Sequence, residues 1–158
     1  MSRAVRLSLA VAAATFVLFQ GGYVVHAVVL SERWLAVRQA LGLRPLEPSA
    51  SMLGLFALAD LGRALLALGI VNAVGARVAC PKARALLSGA ALWAIAGLLP
   101  RLAELPIDVY PAGFLLRCAA YEAPAMVLVA GVIVASSPAP AASCAEEAAV
   151  AERELAEV

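Results

Sequence analysis

The chain has 158 residues, of which 64% are hydrophobic and 15% charged, far more apolar than the roughly 45–50% of a soluble domain. Twelve Lys+Arg against eleven Asp+Glu leave a net charge of +1, so no basic surplus exists to hold nucleic acid, and the composition points to a membrane protein. The three cysteines, Cys80, Cys118 and Cys144, form no C-x-x-C pair and His26 is the sole histidine, which excludes a zinc site, bis-histidine haem or a redox dithiol; no metal or cofactor is expected, and all three thiols read as free.

Four apolar stretches, 7–30, 52–74, 85–105 and 112–135, are long enough to cross a hydrocarbon core about 30 Å thick. Inside lipid each must be helical, because no water is present to satisfy bare backbone groups, and none alternates like a barrel strand. The expected fold is therefore all-α: an integral membrane, antiparallel four-helix bundle over residues 1–135, followed by a soluble tail over 136–158. Arg3 and Arg6 ahead of an apolar run mimic a secretory signal, but the run continues well past the about 7–15 residues of a signal core, so it reads as a retained span.

After the first span, residues 31–42 place Trp34, Val37 and Leu41 at helical spacing opposite Glu32, Arg33 and Gln39, which predicts an interfacial helix with Trp34 at headgroup level. Gly42 should stop it, Pro45 and Pro48 prevent its continuation, and Ser51 is the expected N-cap of span two. The connection at 75–84 is short and basic, with Pro81 suited to a first helical turn, and the one at 106–111 allows only a tight return, so spans three and four should be neighbours. Gly89, Trp93 and Gly97, four apart in span three, predict packing through small residues. The tail offers an Ala/Pro linker, a capping box at Ser143-x-x-Glu146 and an acidic end. With the termini cytoplasmic, six basic residues lie inside against four outside, which favours that orientation by the positive-inside rule.

Ionisable residues within spans carry the functional signal. Asp60 and Arg63 lie in span two, Arg117 and Glu122 in span four, and exposing all four to lipid would cost on the order of 10–14 kcal/mol. They are expected to face inward and pair, with Asp60 and Arg63 joined within one helix and Arg117, Tyr121 and Glu122 grouped on another. Counting about 1.5 Å per residue, His26, Asp60 and Arg117 lie roughly 6 to 12 Å deep with Tyr23 nearby, and Arg63 and Glu122 roughly 15 to 18 Å deep. Arg101, Glu104 and Asp108 mark the mouth, and the opposite half, with Leu9, Val71, Ala90 and Val132, reads as inert. Pro124 should free a carbonyl near Ala120 for another donor. Tyr23, His26, Asp60, Arg63, Arg117, Tyr121 and Glu122 are thus the candidates for a ligand or proton pocket, against the alternative of a network that only fixes helix register.

The absence of a catalytic motif, the small size, the Ala/Gly-rich faces and the tail point to an accessory or assembly subunit of a larger membrane complex, in contact with the bilayer and with a membrane-protein partner or a second copy. The polar half-pocket supports two alternatives: a small-solute or proton-linked transporter or channel, and an intramembrane enzyme acting on a lipid- or quinone-like substrate with His26 or Glu122 as acid or base. An Ala/Arg/Leu/Gly-heavy composition suggests a bacterial source and the cytoplasmic membrane.

Overall fold

A computed structural model describes residues 2–43, 49–107 and 110–137. These residues form helices and connecting turns with no strand among them, and four helical stretches are long and apolar enough to cross a membrane: Arg3–Val29, Ala50–Gly75, Pro81–Ile107 and Ala112–Ser136. Each matches an expected span, extended at its ends by up to four residues of less apolar chain. The capping box, the acidic tail, Arg44, Pro45, Pro48, Asp108 and Cys144 lie outside the described residues.

Helix α1 (Arg3–Tyr23) starts where Ser2 Oγ accepts from the Val5 amide, and its last turns widen into a π-helical segment at Val24–Val29. The chain breaks direction at Leu30 (φ −104°, ψ 8°) and resumes as a helix, α2 (Ser31–Ala40), where one was expected; it buries no residue fully, and its apolar side chains do not gather on one face. Gly42 ends it at φ +67°, with its amide bonded to Gln39 O and the Leu43 amide to Arg38 O, the paired bonds of a glycine C-cap. Helix α3 (Ala50–Gly75) is capped by Ser49, whose Oγ accepts from the Met52 amide, and not by Ser51; the helix-favouring Ala50 lets the turn begin two residues earlier, and Ser51 instead bonds the Ser49 hydroxyl. Pro81 opens α4 (Pro81–Leu92), a second π-helical segment follows at Trp93–Leu98, then α5 (Leu99–Glu104) and a short 3-10 turn, Leu105–Ile107. Helix α6 (Ala112–Ser136) runs unbroken through Pro124.

α1, α3 and α4 pack in sequence, and α6 touches all three. Accordingly 44% of the most apolar window of α6 is buried, against 22% in each of the other spans, so α6 is the helix around which the rest assemble. Its contact face, Met126, Val129, Ala130, Ile133 and Val134, meets Ala14, Leu18, Ala64, Ala67, Val71 and Leu92. The small residues expected to mediate packing lie in this interior. A Cβ on Gly89 would come within 2.6 Å of Val127 Cα, so α4 and α6 approach backbone to backbone at that level. Many large side chains, Phe16, Leu55, Leu58, Leu86 and Leu128 among them, are exposed.

Two expectations fail away from the polar cluster. The half read as inert holds a buried cation: Arg84, 7% exposed, lays its guanidinium over Gly75 and donates from Nε to Val71 O at 3.0 Å, because the absence of a side chain at Gly75 leaves room for it. Cys80 is not a free thiol but disulfide-bonded, whereas Cys118 is free and buried.

Candidate functional site

The polar residues converge at the level of the two π-helical segments. Glu122, on the buried face of α6, has a side chain 9% exposed. One of its oxygens, Oε1, accepts from His26 Nε2 at 3.0 Å and from Arg101 Nη2 at 3.2 Å. Arg101 also reaches Glu104 at 3.4 Å. The other oxygen, Oε2, has no partner; with Ser88 Oγ it is one of two such buried side-chain atoms among the described residues. A bare buried carboxylate oxygen is costly, on the order of 1–3 kcal/mol or more for a charged group, so its persistence calls for an occupant or a role.

His26 is fixed from its other side. Trp34 on α2 donates its indole N–H to His26 Nδ1 at 3.0 Å. Indole nitrogen can only donate, so Nδ1 carries the lone pair; the ring is then neutral, and the Nε2 proton is the one given to Glu122. Trp34 is held edge to face against Phe114 (4.7 Å) and Tyr110 (5.8 Å), over a small apolar cluster of Val25, Leu30, Phe114 and Cys118. The indole is therefore turned into the protein, and its N–H is used on His26, where a headgroup anchor would point it outward.

The far wall is made by the other π-helical segment. Trp93 donates to Ala119 O at 2.7 Å, one residue before the carbonyl that Pro124 leaves without its usual donor. A Cβ on Gly97 would meet Trp93 Cδ1 at 3.1 Å and Glu122 Oε2 at 3.7 Å. Any side chain at this position would thus crowd Trp93 beside the bare oxygen. A π-helical turn inserts an extra residue and redirects the side chains after it, and such turns recur at functional sites. Here two of them flank one carboxylate.

The seven expected site residues divide. Asp60 and Arg63 form the intrahelical pair at 3.0 Å, with Asp60 buried and within Coulombic reach of Glu122. His26 and Glu122 join directly. Tyr23 is 60% exposed and turned away from His26, because the wider winding that begins at Val24 rotates His26 off the face that a regular helix would share with Tyr23. Arg117 and Tyr121 do share a face, but it points outward: Tyr121 is half-exposed, Arg117 is exposed, and neither touches Glu122. Five residues separate Arg117 from Glu122, a rotation of about 140° around a helix, so turning Glu122 inward turns Arg117 out.

Arg101 takes the place expected for Arg117. It arises from the neighbouring helix, as the short α5–α6 connection allows, and only its position near the end of a span hid it. Trp34 and Gly97 were likewise not foreseen as site residues. Their signal is the spacing of the aromatics around α2 and the absence of a side chain opposite Glu122, and neither can be recognised before the helices are assembled. Equal depth of His26 and Glu122 also departs from the count along each span. The first turn of α6 lies level with α2, through the Trp34–Phe114 contact, and not with the end of α1.

Counting formal charges among the groups in direct contact, Glu122 and Glu104 against Arg101, with His26 neutral, leaves one negative charge. The cluster is therefore suited to take up a single positive charge or a hydrogen-bond donor at Oε2. No family model, curated protein or solved structure is detectably similar to this chain.

Proposed function

We propose that the chain is a multi-pass membrane protein whose four long helices form an antiparallel bundle, and that it is a small transporter or channel handling a proton or small polar solute at Glu122. The observation that carries this reading is the unpartnered Oε2 of Glu122. A register-fixing network gains from full satisfaction of its members, and a half-satisfied one is worse than an apolar core. Part of the small-residue content that suggests an accessory subunit is used within the chain, since Gly89 and the buried alanines serve contacts between its own helices.

A second reading, the accessory subunit, draws support from an open apolar groove between α1 and α3. It is lined by the small residues Ala12, Thr15, Gly54 and Ala57 together with Phe16, Phe19 and Leu53, a mix that suits the approach of another membrane helix.

The two readings separate in reconstituted liposomes. Under an imposed membrane potential, the transporter reading expects flux of protons or small solutes that Glu122→Gln abolishes and Arg117→Gln leaves intact. Equal permeability of wild type and Glu122→Gln to every ion and solute tried would remove the transporter reading. Copurification of a membrane protein at fixed stoichiometry, unaffected by Glu122→Gln, would then support the accessory role.

A further inference from the structure

The cargo of the Glu122 site and the route to it can be read from the same contacts. We infer that the site takes up a proton through His26, and that the indole N–H of Trp34 is the latch that closes this route. The inference rests on the reading of Glu122 as a functional centre and adds to it the ligand and its control.

Burial selects the ligand. Glu122 Oε2 is buried without a partner, and even a Cβ added on Gly97, 3.7 Å from it, would crowd Trp93 at 3.1 Å. An oxygen walled in so closely suits a proton, which needs no cavity, and not a solute with several heavy atoms. Charge agrees, because one proton on Glu122 removes the one uncompensated negative charge of the cluster. The groups that face Glu122 are His26 from the end of α1 and Arg101 with Glu104 from α5; Asp60, paired with Arg63 on α3, and Cys118, one turn earlier on α6, lie within its field.

Geometry selects the route. His26 is the more exposed member of the pair, and its ring stands between Glu122 and Trp34 of α2. For the ring to relay a proton, Nδ1 must accept one. A hydronium ion from the aqueous phase gives up its proton and becomes water as an N–H bond forms at Nδ1; the N–H bond at Nε2 breaks, and that proton bonds to Glu122. This leaves a neutral carboxylic acid and a neutral imidazole in the opposite tautomer; the reverse transfer restores the starting state. While Trp34 donates to Nδ1, the accepting lone pair is occupied and the relay cannot start.

The latch sits on a helix with no fully buried residue, joined to α1 across the break at Leu30. Trp34 seats it against Tyr110 and Phe114, with Val37 beside them.

The test follows the carboxylic C=O stretching band of Glu122 after a rapid pH jump, with the protein in lipid nanodiscs and the band identified by its loss in Glu122→Gln. Trp34→Phe keeps the aromatic packing and removes the N–H; losing one hydrogen bond should speed proton uptake about five-fold. Adding His26→Phe should cancel that gain. Tyr110→Ala, which loosens the seat of the indole but keeps its N–H, should move the rate in the same direction as Trp34→Phe and guards against a folding defect in the latter. A Glu122 band that forms at the same rate in wild type, Trp34→Phe and Tyr110→Ala overturns the latch, as does acceleration that survives loss of His26. Either result leaves Glu122 as a proton site. No Glu122 band at any pH, together with no flux that depends on Glu122, overturns the latch and the functional reading together.

Discussion

His26 is the only histidine of the chain, and that makes the tautomer argument directly measurable. With indole N–H on Nδ1 and carboxylate on Nε2, a nitrogen-15 histidine spectrum should show one protonated Nε2 and one unprotonated Nδ1. In Trp34→Phe the fixed preference should give way to a mixture of the two neutral forms. A protonated Nδ1 in the wild type would contradict the bonding described. Residue identity alone singled out Glu122, His26, Asp60 and Arg63 as candidates, because polar chemistry inside an apolar run is conspicuous. It did not reveal which arginine serves Glu122. That depends on a rotation of about 140° within α6 and on the reach of a side chain from another helix, and neither is a property of the residue.

At the scale of elements, the spans were legible almost to their ends, since length and hydropathy alone determine what can cross lipid. The π-helical segments were not legible, because their extra residue is stabilised by contacts between helices and leaves no periodic mark in composition. Glycine positions show the same division. Gly89 allows α4 to lie against the backbone of α6, so Gly89→Ala should destabilise the protein by about 1–3 kcal/mol through overpacking. A Cβ on Gly62 meets nothing within 4 Å, and Gly62→Ala should be neutral or stabilising by up to about 1 kcal/mol through helix propensity. Thermal unfolding of both variants in one detergent checks the pair; equal loss at the two positions would show that α4 and α6 do not meet as described.

For the whole molecule, the sequence implied a polar half and an inert half, and the assembly modifies both. The polar half condenses from seven dispersed candidates to a centre on Glu122, Arg101 and His26, roofed by α2, while Asp60 and Arg63 form a neighbouring pair. The other half contains Arg84, whose burial depends on the absence of a side chain at Gly75, a coincidence of two helices that no single stretch announces. Function in this reading is a property of the assembly: α6 supplies the carboxylate, the end of α1 its histidine, α5 its arginine, and α2 the indole that covers the entrance.

The claim on which that arrangement stands is that Glu122 is held by Arg101 and not by Arg117. A double-mutant cycle on unfolding free energy decides it, with Glu122→Gln combined in turn with Arg101→Gln and with Arg117→Gln. A coupling of about 1–2 kcal/mol with Arg101, and one within about 0.5 kcal/mol of zero with Arg117, is the predicted result. Coupling to Arg117 with none to Arg101 would mean that α6 is rotated from the orientation described and that the site is assembled from other residues.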